Sequence, residues 1–205
     1  AVNIAGVAAT VRNNTLRLFT NNGVYVSTGV GTTSTVIRNN LIDNTNDTGD
    51  CIETNLSSPQ IIGNTLTNCD RGVHVVGAAA PTVTGNNVIT GNNYGVYANG
   101  SSGVATLPVV TGNQIFTNDN FNFIAATYGA TGASIKLNAT GNWWGATDPT
   151  TIAGTISDLT DSNTSTLPSV DYSNFLNGPN GSAVPGNYLL GKLLVVPGAN
   201  GERVS

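Results

Sequence analysis

Charged side chains are scarce in this chain, seven Lys and Arg and eleven Asp and Glu among 205 residues, so the places where they gather carry information. Asp43, Asp47, Asp50, Glu53, Asp70, Arg71 and the single histidine, His74, fall within 32 residues. Three chemistries suit those residue types. Asp50 or Glu53 could act as general acid or base in glycoside cleavage, given a second carboxyl across the sugar. Asp43, Asp47 and Asp50, with Asp70 nearby, could hold Ca²⁺, which takes several oxygen ligands, and Arg71 could then stabilise charge beside a uronate. Alternatively Tyr25, Tyr94 and Tyr97 could stack on sugar rings while polar groups bond hydroxyls, with no reaction. The catalytic candidates are therefore Asp50, Glu53, Asp70, Arg71 and His74. The carbohydrate-binding candidates are Tyr25, Tyr94 and Tyr97, and the metal candidates Asp43, Asp47 and Asp50. A solvated ladder of surface charges is the competing structural reading.

What must position these residues is a repeat. Short Asn motifs begin at Asn13, Asn39, Asn64, Asn86, Asn113 and Asn142, at spacings of 26, 25, 22, 27 and 29 residues. A period in that range marks a solenoid. About ten residues after each Asn motif comes a second one of the form Gly-Val-x-Val: Gly23-Val24-Tyr25-Val26, Cys51-Ile52-Glu53-Thr54, Gly72-Val73-His74-Val75, Gly95-Val96-Tyr97-Ala98 and, more weakly, Asn122-Phe123-Ile124-Ala125. Strand alternation sends Val24, Val26, Ile52, Val73, Val75, Val96 and Phe123 to one face, the core, and Tyr25, Glu53, His74 and Tyr97 to the other. Stacking the motifs in register makes those four an outward row, beside a second row of Asn22, Asp50, Arg71 and Tyr94. Gly and Asn at the corners tolerate left-handed backbone angles, and a column of Asn amides can hydrogen-bond along the stack.

This pattern resembles the right-handed parallel β-helix repeat found in pectate-lyase-like enzymes, in the maturation protein of the nitrous oxide system and in many bacterial surface proteins. The resemblance implies an all-β, right-handed parallel β-helix of six to seven coils over 1–145. It also implies a terminal segment in which Trp143 and Trp144 of Gly141-Asn142-Trp143-Trp144-Gly145 cap the core. It does not imply an activity. Polygalacturonase-like enzymes need paired Asp motifs and Gly-His-Gly, whereas the one His here lies in Asp70-Arg71-Gly72-Val73-His74; pectate-lyase-like enzymes need a basic cleft, and Arg71 stands alone. Asp50, Asp70 and Arg71 could mimic a pectin-methylesterase-like site, without its surrounding motif.

Residues 146–187 read as a capping segment and surface loop, and 188–205 as an apolar terminal strand or tail. The run at 188–197 is too apolar for water, and docking on its own helix or on a neighbouring copy would cover it. The two cysteines, Cys51 and Cys69, could form a disulfide or stay as buried thiols. One histidine and no second thiol pair imply no zinc site.

Composition narrows the function. A net charge of −4 and a pI near 4.6, with no basic patch, disfavour nucleic acid. No apolar run approaches the roughly 20 residues of a membrane span. An Asn- and Thr-rich, Lys-poor surface points to a secreted or cell-surface bacterial protein. The leading expectation is a structural or adhesive module that contacts a polysaccharide or glycan, or self-associates through its helix ends or the 188–197 strand. A polysaccharide lyase or glycoside hydrolase is the alternative. No cofactor is expected beyond Ca²⁺.

Overall fold

The computed structural model of the chain describes residues 1–27, 35–45, 48–100, 106–162 and 165–184. Within them the chain winds through nineteen short strands, numbered in chain order and laid into three sheets. The first sheet holds β1 (Val2–Ala5), β4 (Asn22–Ser27), β7 (Asp50–Asn55), β10 (Arg71–Val76), β13 (Tyr94–Asn99), β16 (Phe121–Ala126) and β18 (Ile156–Ser157). The second holds β2 (Thr10–Arg12), β5 (Val36–Arg38), β8 (Gln60–Ile62), β11 (Thr82–Thr84), β14 (Val109–Val110), β17 (Lys136–Asn138) and β19 (Ser169–Asp171). The third holds β3 (Thr15–Arg17), β6 (Leu41–Asp43), β9 (Thr65–Thr67), β12 (Val88–Thr90) and β15 (Gln114–Phe116).

Every pairing among these strands is parallel and joins one coil to the next. Five coils contribute a strand to all three sheets, and two partial coils carry the first and second sheets onward through β16 to β19. Against the six to seven coils expected over 1–145, that span holds five complete coils and one partial, and a second partial coil follows at β18 and β19.

The alternation read from the Gly-Val-x-Val motifs is realised residue by residue. Val24, Val26, Ile52, Val73, Val75, Val96 and Phe123 are fully buried, and Ile37, Ile61, Val83 and Val110 from the second sheet and Ile42, Leu66, Ile89 and Ile115 from the third close the core against them. Each such side chain, buried relative to water, stabilises by about 1.5–3 kcal/mol.

The Asn motif resolves into two neighbouring jobs. The residue ahead of each ladder position takes a left-handed backbone: Asn13, Asn39, Gly63, Asn86, Gly112 and Gly141 all have φ between 54° and 68°. The next residue, Asn14, Asn40, Asn64, Asn87, Asn113 or Asn142, turns its amide inward along the stack. Asn64 Nδ2 donates to Asn87 Oδ1 at 3.0 Å, and Asn87 Nδ2 donates to Asn113 Oδ1 at 2.8 Å. The same Oδ1 atoms accept the backbone N–H of the previous coil's Asn, at 2.8 Å for Asn64 and 3.2 Å for Asn87. In the Asn-Asn pairs the second residue is the ladder member, one position later than the motif start.

A second column runs at the next corner, where Asn92 Nδ2 donates to Asn118 Oδ1 at 3.0 Å. Here one coil departs from the pattern. Cys69 occupies the position equivalent to Asn92, and its backbone N–H still donates to Asn92 Oδ1 at 3.0 Å. Its sulfur forms a disulfide with Cys51, settling the alternatives left open by the sequence in favour of a bridge. In the preceding coil Asn44 has no partner for its buried Nδ2 and Oδ1.

Among the described residues beyond 145 the chain is more ordered than its polar composition suggests. Asp148 caps α1 (Pro149–Ala153) by accepting the Thr151 N–H at 2.7 Å, β18 follows, then α2 (Leu159–Ser162) and β19. The segment is held by isolated apolar anchors, Ile152, Ile156, Val170 and Phe175, which are too widely spaced to show a period. Trp144 is buried in the core, whereas Trp143 is half-buried and bridges to Gln114. The apolar run at 188–197 lies outside the described residues.

Two outcomes test this scaffold. Asn87→Ala removes donors to Ile61, Thr84 and Asn113 and the acceptor for Asn64. It should cost on the order of 3 kcal/mol, read as a fall in thermal midpoint, because it strands several buried partners at about 1 kcal/mol or more each. Cys51→Ala together with Cys69→Ala should cost about 3 kcal/mol in denaturant unfolding, the loop-closure contribution of a crosslink spanning 18 residues.

Candidate functional site

The register of the first sheet sets the site. Tyr25 pairs with Glu53, Glu53 with His74, and His74 with Tyr97, so the outward row expected from the motifs is present. Asn22 pairs with Asp50 and Arg71 with Tyr94, which makes the second row. One expectation fails within it. Asp50 is not displayed to solvent but is 4 % exposed, folded under its neighbours.

A guanidinium and an imidazole cover that carboxylate. Arg71 Nη1 donates to Asp50 Oδ1 at 3.1 Å, and His74 Nδ1 lies 2.7 Å from Asp50 Oδ2. Arg71 Nη2 also pairs with Asp70 Oδ2 at 3.2 Å. The guanidinium stacks on Tyr97, its carbon 4.8 Å from the ring centroid. Tyr97 in turn meets His74 and Tyr94 edge-on, with 5.4 Å between centroids in each case. Tyr97 therefore serves as a wall for Arg71 and His74.

Glu53 is treated differently. Its Oε2 accepts the Asn22 amide at 2.9 Å, and among the described residues no cation pairs with it. Around Glu53 opens a cleft of about 420 Å³ lined by Asn21, Asn22, Tyr25, Thr48, Gly49, Asp50, Glu53, Asp70 and Arg71. Gly49 permits the close packing at its edge, since a side chain there would run into the Asn21 carbonyl. Asn21, Thr48 and Gly49 were not legible as site residues: they sit in the corner loops, outside both motifs.

The structure thus brings together Tyr25, Asp50, Glu53, Asp70, Arg71, His74, Tyr94 and Tyr97. It separates Asp43, which belongs to β6 on the third sheet and is occupied by Arg17 at 3.3 Å and by the Asn68 amide at 2.8 Å. The expected grouping of Asp43 with Asp50 therefore does not form, because residues seven apart turn a corner rather than sharing a face. Asp47 lies outside the described residues. The group that does converge is Asp50, Glu53 and His74, which offer one ligand atom each within 4.8 Å of one another.

A second cavity, about 450 Å³, lies near the last coils between Lys136, Pro149, Ile156, Asp161, Val170 and Tyr172. Its acids do structural work. Asp158 is buried and accepts from the backbone of Val170 and Thr160, at 2.7 Å each. Desolvation pushes the Asp161 carboxyl up, and burial followed by the charges of Asp158 and Asp161 raises the Tyr172 phenol. Burial alone would raise Asp171 too, but hydrogen bonds from Lys136 and Ser173, together with the Lys136 charge, hold it below the usual range.

The family model described as the right handed beta helix region matches residues 1–145. The chain belongs to the right-handed β-helix family. Searches of the curated proteins and of the solved structures return no match to this β-helix. Among its described residues no helix is long and apolar enough to cross a membrane.

The coupling of Asp50 to Arg71 is measurable. Arg71→Met should destabilise the β-helix by about 2 kcal/mol or more, because it leaves a buried carboxylate with only His74. Asp70→Asn should cost under about 1 kcal/mol, since that pair is partly solvated. Parallel urea titrations of the two variants make the comparison.

Proposed function

We propose that this β-helix is an extracellular structural or adhesive module that holds a carbohydrate chain along its first sheet. The observation that carries the reading is the open cleft bordered by Tyr25, in which polar side chains project from successive coils at a fixed rise. A sugar chain is bound by such an arrangement through ring stacking on tyrosine and hydrogen bonds to hydroxyls. The parallel strands repeat at about 4.8 Å, so groups on adjacent coils are spaced on the scale of a sugar residue. The Cys51–Cys69 disulfide supports the location, since such bonds persist in oxidising compartments.

The pairing of charges favours binding over cleavage. Glycoside hydrolysis asks for two carboxyls free to face each other across the bond. Here Asp50 is buried and engaged by Arg71 and His74, which leaves Glu53 as the one carboxyl of that pair open to a ligand. A lyase or hydrolase is accordingly the lesser reading.

Glycan-array binding tests the proposal. Replacing Tyr25 with Ala should lower the signal for the bound glycans by about tenfold, the effect of losing roughly 1.4 kcal/mol. An unchanged signal would remove the cleft from consideration. Release of reducing ends or unsaturated products from a polysaccharide panel would replace binding with catalysis.

A further inference from the structure

The geometry points to a second property of the same face: Asp50, Glu53 and His74 form a binding site for a divalent transition cation, Zn²⁺ or Mn²⁺. The three ligand atoms come from two adjacent coils, with Glu53 three residues after Asp50 on β7 and His74 in register with Glu53 on β10. They lie within 4.8 Å of one another, and a shift of the half-exposed Glu53 carboxylate, with the ion taking the place of the hydrogen bond between His74 Nδ1 and Asp50 Oδ2, would bring them around one ion. Bonds of about 2.0–2.2 Å to imidazole nitrogen and carboxylate oxygen are typical for such ions.

Three features beyond proximity support a cation here. The first is charge. The cleft gathers the carboxylates of Asp50, Glu53 and Asp70 around one guanidinium, and Glu53 has no cationic partner among the described residues. A cation beside Glu53 would supply the charge that Arg71, turned toward Asp50 and Asp70, does not. The second is support of the ligands. Asn22 holds Glu53 Oε2 and Arg71 holds Asp50 Oδ1, the kind of outer hydrogen bonds that orient metal ligands. The third is the imidazole, whose Nε2 is buried without a hydrogen-bond partner while Nδ1 faces Asp50.

The donor set also selects the ion. One nitrogen and two carboxylates suit Zn²⁺ or Mn²⁺, whereas Ca²⁺ takes six to eight oxygens. Three protein ligands leave coordination positions open on the cleft side, where a hydroxyl-bearing ligand could reach the ion. The cation site itself does not depend on the carbohydrate reading, and its test contains no glycan.

His74 is the only histidine in the chain, so its ring signals in an NMR spectrum report this site without assignment of any other residue. The folded protein, freed of metal with a chelator, should bind one Zn²⁺ per chain by calorimetry, with the His74 ring resonances shifting in step. Glu53→Gln and His74→Ala should each weaken binding by at least about tenfold, since loss of even an outer hydrogen-bond partner typically costs tenfold to a hundredfold, while Asp119→Asn, an exposed carboxylate elsewhere, should leave it unchanged. The proposal is overturned if neither Zn²⁺ nor Mn²⁺ binds at millimolar concentration, or if Zn²⁺ binds while the His74 ring signals stay in place. Equal affinity for Ca²⁺ that persists in His74→Ala would also overturn it.

Discussion

The hydrogen bond from one asparagine amide to the next is the interaction on which the rest of the molecule depends. Each interior ladder amide is donor to one neighbour and acceptor from the other, and it also satisfies backbone groups at a corner where no strand pairing is available. A buried amide left without those partners would cost more than the bond returns, so each coil must place its asparagine directly over the last. That requirement locks the register of all three sheets. A slip of one residue would expose the valines and bury the outward row. The positions of Glu53, His74 and Tyr97 are therefore consequences of amides on the opposite side of the core.

On that frame the coils differ mainly in what they display. Where the outward positions carry charges, the charges answer one another: Arg71 spans Asp50 and Asp70, and His74 leans on Asp50. Glu53 stands outside this exchange, held by a neutral amide at the mouth of the cleft. The contrast between a closed network and one uncompensated carboxylate gives the face a direction, with its open side toward Tyr25.

Much of the fold was legible because periodicity is a property of sequence. The spacing of Asn motifs and the alternation of Val24, Val26, Val73 and Val75 are visible without coordinates, and so was the lateral pairing of Tyr25, Glu53, His74 and Tyr97. What was not legible depends on side-chain direction and on corners. Nothing in the order of residues shows that Asp50 tucks under Arg71, or that Asp43 turns onto a different sheet. The last coils were hidden for another reason: Ile152, Ile156 and Val170 each anchor the segment singly, and single anchors leave no pattern. Function was least legible, since the repeat that makes the frame is indifferent to what the frame presents.

The disulfide has a topological meaning. Cys51 opens the third complete coil and Cys69 ends it, so their bond turns that coil into a closed covalent ring. A solenoid comes apart by peeling, coil by coil, from whichever end frays first. Peeling that arrives from either side meets a loop that cannot be drawn out straight. A backbone cut between residues 52 and 68 would leave the two halves joined through sulfur. The coil bearing Asp50 and Glu53 is thereby the part of the chain whose shape survives longest when the remainder is pulled or nicked.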